Sequence, residues 1–165
     1  MKPLMKYFFL LSISLLLFSC NNQSNTIAAL QLKVDSLQKE LQHTYKPGLG
    51  EFMSSIQVHH EKLWFAGQAG NWRLADFEIN EIAEALNNIQ QYNADRPEAP
   101  KTAMLLPVID SVKTAIEQKD NLNFTTSFVR LTNTCNNCHR EVDYDFNTIL
   151  IPTTPPFSNQ SFKLN

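Results

Sequence analysis

Residues 71–92 read NWRLADFEINEIAEALNNIQQY, and this stretch decides the fold class. Ala75, Ile79, Ile82, Leu86 and Ile89 recur at spacings of 4, 3, 4 and 3. Residues three and four apart share one face of a helix, whereas a strand would alternate apolar and polar. Asn71 stands just before the first turn, and its short polar side chain suits an N-cap. The spacing predicts a helix from this cap to about Tyr92.

The same pattern continues on either side. Upstream, a helix is predicted from about Glu51 to Phe65, with Met53, Ile56, His60, Leu63 and Trp64 on one face and Gly67 to Gly70 as its stop. Downstream, Asn93 to Pro100 is a polar, proline-containing loop. A third helix is predicted from about Thr102 to Lys119 on the stripe Leu105, Val108, Ile109, Val112 and Ile116. Pro107 either kinks it or marks its true first turn. A fourth is predicted from about Asn123 to Val142 on Phe124, Phe128, Leu131, Cys135, Cys138 and Val142. Four amphipathic helices joined by short loops predict an all-α, antiparallel four-helix bundle over residues 48–143. The tail 144–165 holds Pro152, Pro155 and Pro156 and is expected to be extended. Its Ile149, Leu150, Ile151, Phe157 and Phe162 suggest packing on the body.

Composition agrees with one helical domain. Hydrophobic residues make up 43% and charged residues 18% of 165 residues, with only 4 glycines. That is globular rather than disordered composition. Formal net charge is −2, and no basic patch stands out, so nucleic acid is not an expected partner.

The N-terminus resembles a bacterial export signal. Lys2 and Lys6 precede an apolar stretch from Tyr7 to Phe18 that is short for a membrane span. It ends Leu17-Phe18-Ser19-Cys20, which resembles a lipobox, although Phe18 is bulkier than the usual residue there. Residues 1–19 then read as a lipoprotein signal peptide, Cys20 as the lipidated residue and residues 20–26 as a polar tether. An ordinary cleavable signal with a chance cysteine is the alternative. The expected location is the periplasmic side of a bacterial membrane or the cell surface. Ile27, Leu30, Val34, Leu37 and Leu41 then form a heptad seam in a helix over residues 27–46. It is either a short stalk joining copies of the chain or a helix packed on its own domain.

Cys135-Asn136-Asn137-Cys138-His139 fits the C-x-x-C-H attachment sequence of c-type haem. The spacing has a physical reason. On a helix the two thiols and the imidazole point the same way, so both sulfurs reach one porphyrin edge and His139 falls under the ring as the proximal iron ligand. Three other readings compete. A structural zinc site needs further ligands, and His59 and His60 are adjacent rather than at helical spacing. A redox-active dithiol belongs to a βαβ context that this chain lacks. A plain disulfide leaves His139 unexplained.

An exported helical bundle with a single C-x-x-C-H near its end resembles the cytochrome c-prime family, the class II cytochromes c. The resemblance covers about Gly48 to Val142, and residues 135–139 are its only specific motif. It implies one haem c inside the bundle, with the sixth coordination position facing the first helix. Members of the cytochrome c-556 type place a methionine there and carry electrons; others leave the position open and bind small gases. Carried onto this chain, the methionine is Met53, and His60 is the alternative. Ile56, Leu63, Trp64, Phe128 and Leu131 are expected to line the haem pocket. Gas-binding members carry a basic residue four positions after the proximal histidine, where this chain has Asp143.

The function expected from these readings is a lipid-anchored monohaem cytochrome exchanging single electrons with redox partner proteins. A haem-based binder of nitric oxide or carbon monoxide is the alternative, and a non-haem structural lipoprotein is the second. No paired carboxylates or activated nucleophile suggest an enzyme.

Overall fold

All regular secondary structure in the computed structural model, which describes residues 24–41 and 46–164, is helical. The chain divides into two units, Met1–Tyr45 and Lys46–Asn165. Within the first, residues 24–41 form helix α1. It therefore includes residues 24–26, expected to be tether. Ser24-Asn25-Thr26 can open a helix because its short polar side chains satisfy free N–H groups of the first turn. Ile27, Leu30, Val34, Leu37 and Leu41 are all more than 45% exposed. The expected signal peptide, the expected lipidation residue Cys20 and residues 42–45 lie outside the described residues.

The second unit contains α2 (Leu49–Gln68), α3 (Trp72–Tyr92), a 3-10 helix (Ala99–Leu105), α4 (Leu106–Glu117) and α5 (Asn121–Glu141). Each α-helix packs on the next, and α2 packs on α5, which closes the ring. His59 meets Glu78, and Phe52 stacks on Tyr92, so α2 and α3 run antiparallel. Gln68 meets Thr125, and His60 meets Thr132, so α2 and α5 are antiparallel as well. This is the neighbour pattern of an antiparallel four-helix bundle.

The predicted stripes form the core. Ile79, Ile89, Val112, Phe124 and Phe128 are fully buried, and Ile82, Leu86, Ile109, Ile116 and Leu131 nearly so. Burying each such side chain contributes about 1.5–3 kcal/mol, so this core dominates the stability of the unit. Asn71 caps α3 by accepting from Leu74 N–H at 3.3 Å. Asp120 caps α5 by accepting from Leu122 and Asn123 N–H groups, both at 3.0 Å.

Two boundaries differ from the sequence reading, and the open choice at Pro107 is resolved. α2 runs through Gly67 instead of stopping there, and a Cβ on Gly67 would lie 2.1 Å from the Phe124 ring. This glycine is a point of close approach to α5. Gly70, at φ +68°, is the left-handed residue that ends the helix. A 3-10 helix precedes α4, and Pro107 sits in the first turn of α4, where its missing N–H costs nothing. It starts the helix and does not kink it.

Residues 144–164, the described part of the tail, form no helix or strand. Phe162 is buried against Phe65, with ring centroids 5.7 Å apart, and Ile151 packs on the core. Leu150 is 73% exposed and does not pack as expected. Its neighbours on either side face inward, and in extended chain alternate residues face opposite ways. Phe157 is also largely exposed, with the Lys62 ammonium 5.2 Å above its ring.

Candidate functional site

One end of the bundle encloses a cavity of about 360 Å³, within the range of roughly 300–1,000 Å³ usual for small-molecule and cofactor sites. Cys135, Cys138 and His139 wall it from the last turns of α5. Met53, Ile56 and His60 wall it from α2. The structure therefore brings the C-x-x-C-H side chains and both candidate sixth ligands to a single cavity.

The thiols come first. Both cysteines are unbridged, Cys138 buried and Cys135 half-buried. Desolvation pushes the Cys135 thiol up to about 12 and raises that of Cys138 as well. Redox-active dithiols depend on a lowered thiol pKa, and this site has the opposite electrostatics. No group of three or more His, Cys, Asp or Glu side chains among the described residues is placed to hold a metal ion. A structural zinc site needs four ligands converging on one point. Haem attachment needs only sulfurs along one edge and a nitrogen beyond them, and this donor set fits that demand.

His139 is oriented by its own chain. Its Nδ1 lies 2.5 Å from the Asn147 carbonyl oxygen. A carbonyl only accepts, so Nδ1 carries the hydrogen and the neutral ring has its lone pair on Nε2. Such a second bond fixes the tautomer and direction of a ligating histidine. Asn147 is brought there by a Schellman cap at the end of α5. Asp143 adopts φ +60°, and Tyr144 N–H donates to the His139 carbonyl at 2.8 Å. The chain then doubles back over the histidine.

The adjacent His59 and His60 have separate tasks. His59 Nδ1 is 2.6 Å from Glu78 Oε2, and Glu78 is fully buried on α3. The other carboxylate oxygen, Oε1, has no hydrogen-bond partner among the described residues. His60 is buried, and its ring lies 4.4 Å from that of Phe128. Thr132 donates its hydroxyl to the Phe128 carbonyl at 3.0 Å, so it accepts from His60 Nε2–H at 2.8 Å. Burial lowers the His60 pKa to about 4, leaving the ring neutral near pH 7. The nitrogen bearing its proton is committed to Thr132. Met53 is half-buried against the core.

Of the expected pocket residues, Ile56 walls the cavity, whereas Leu63, Trp64, Phe128 and Leu131 do not. They form the packed layer beside it, with Phe128 beneath the His60 ring. Leu63 lies ten residues beyond Met53, about 15 Å along the helix axis, which carries it past the cavity. Sequence reasoning missed further helical walls, among them Gln57 on α2 and Leu86 on α3, and a set on irregular backbone: Arg96 and Glu98 in the loop before the 3-10 helix, and Tyr144, Asn147 and Ile149 in the tail. Arg96 donates to both Glu98 oxygens, at 3.2 and 2.7 Å. The hydrogen bond and charge of Arg96 hold the Glu98 carboxyl below its usual range. An opposite-charge pair two residues apart, beside Pro97, was the available signal.

No helix among the described residues is long and apolar enough to cross a membrane. In comparisons with known proteins, no family model, no curated protein and no solved structure matches the chain.

Proposed function

We propose that this protein is a monohaem c-type cytochrome of class II type that acts as a one-electron carrier. One arrangement carries the reading: Cys135, Cys138 and His139 share one cavity with Met53, while the Asn147 carbonyl holds His139 Nδ1 and leaves Nε2 for iron. Bound haem c would supply a one-electron couple at its iron. Cys135 and Cys138 would hold the porphyrin edge through thioethers. His139 would be the proximal ligand and Met53 the sixth. Met53 is favoured over His60 because a thioether needs no proton arrangement to meet iron, whereas His60 is pinned to Thr132 through Nε2 and could offer only Nδ1, the nitrogen nearer its own backbone. The packed layer of Leu63, Phe128 and Leu131 would keep both helices still, so that changing the oxidation state moves little. The chain's role is to bind, orient and exclude water; no catalytic residue is assigned.

The reading includes lipidation at Cys20, a location outside the cytoplasm, and redox proteins as partners. Self-association through α1 belongs to it too. In the heptad, Ile27, Val34 and Leu41 take one seam position and Leu30 and Leu37 the other. β-Branched Ile27 and Val34 at the first, with leucine at the second, favour a two-stranded coiled coil. Two heptads are short, and tethering to one membrane would raise the effective concentration.

The deciding experiment is haem staining of a denaturing gel. The matured wild type should stain, and Cys135→Ala/Cys138→Ala should not. A wild type that never stains, or a double variant that still does, removes the proposal. Loss of the protein from the membrane fraction on Cys20→Ala tests the anchor separately.

A further inference from the structure

Asn136, the first residue between the two cysteines, is not among the cavity walls; it grips the tail. Its Oδ1 accepts from Ile149 N–H, and its Nδ2 donates to the Ile149 carbonyl, both at 2.8 Å. The side-chain amide thus pairs with one residue of extended chain as a neighbouring strand would. Between the α5 cap and this clamp lie only residues 144–148, closed by a turn in which Asn147 N–H donates to the Tyr144 carbonyl at 2.9 Å. Two fixed ends and a five-residue span leave the Asn147 carbonyl little choice of position. It sits on His139 Nδ1.

We propose that Asn136 is a positioning residue that acts on the iron through the tail. This rests on the haem reading given above. By fixing the Asn147 carbonyl, the clamp holds the His139 Nδ1–H bond short. A strong bond there makes the imidazole a more basic ligand, and a more electron-rich ligand stabilises ferric over ferrous iron. Asn136 therefore lowers the reduction potential. The residue between the cysteines serves as a tuning element, and the C-terminal tail belongs to the redox site.

The test is the midpoint potential of the matured, full-length protein. Asn136→Ala should keep covalent haem and shift the ferric/ferrous equilibrium toward ferrous iron by about tenfold, which for a one-electron couple is about 59 mV upward. The sign separates positioning from general loosening, because water admitted to the haem would lower the potential instead. Asn136→Ser stays neutral and loses the paired amide. It should shift the potential in the same direction, and it decides the matter if the alanine variant is not recovered with haem. A haem-bearing variant whose potential is unchanged or lower overturns the proposal. Absence of haem from the wild type overturns the functional reading instead.

Discussion

Gly67→Ala should destabilise the protein, against the usual effect of alanine in a helix. Alanine in place of a mid-helix glycine normally gains about 1 kcal/mol. Here the new Cβ would stand 2.1 Å from two atoms of the Phe124 ring, whereas ordinary contacts begin near 3.4 Å. The ring must retreat by more than 1 Å. It has nowhere to go: Phe124 is fully buried, with Trp64, Trp72 and Phe128 at centroid distances of 6.5, 5.9 and 6.0 Å. Overpacking of this kind costs about 1–3 kcal/mol or more. Because the ring cannot retreat, the upper end of that range applies, and after the helix gain a net loss of roughly 2 kcal/mol remains. Gly50→Ala is the internal control, since its Cβ would meet nothing within 4 Å and its φ is ordinary. It should be neutral or stabilising by up to about 1 kcal/mol. Urea unfolding followed by tryptophan fluorescence measures both. Phe124→Leu in the Gly67→Ala background should recover part of the loss, giving a coupling of about 1 kcal/mol. A Gly67→Ala protein as stable as wild type would refute the close approach of α2 and α5.

His60 makes stability pH-dependent. Its folded pKa of about 4 lies below the ordinary 6.5, so as pH falls the unfolded chain takes up the proton first. Stability is fully present above about pH 6.5 and falls by about 3 kcal/mol toward pH 4. His60→Gln should flatten this part of the profile in pH-resolved unfolding. Met53→Ala should turn six-coordinate, low-spin iron into high-spin iron that takes carbon monoxide readily, and should lower the potential. A wild type that is already high-spin and binds carbon monoxide would favour the gas-binding alternative. Removal of residues 21–46 should abolish self-association in sedimentation; equal mass with and without them would assign α1 a passive role.

The helices were legible because their signal is local. The stripes in residues 71–92 and 124–138 needed only the helical period, and the Asn71 cap only its place before the first turn. The shared face of Cys135, Cys138 and His139 follows from the same geometry. The continuation of α2 through Gly67 was not legible, because the reason for that glycine is a ring 57 residues away. Nor were the cavity walls at Asn147 and Ile149. Their backbone follows no period, and hydrogen bonds to His139 and Asn136 set its course. The two histidines show the same limit: adjacency in sequence gave no sign that one serves Glu78 and the other Thr132.

The buried thiols bear on the order of events in the life of the chain. With its pKa near 12, the folded Cys135 exposes on the order of one thiolate in 10⁵ at pH 7. Once the bundle has closed, that half-buried sulfur is mostly protonated and reacts slowly, with oxidants and in attachment alike. On the haem reading, the thioethers therefore form while α5 is still accessible, and closure of the tail over His139 comes afterwards. A chain that folds too early would be preserved, unoxidised and unloaded, as a dead end. Speed of folding and completeness of loading are then in competition, and a slower-folding variant would emerge carrying more haem.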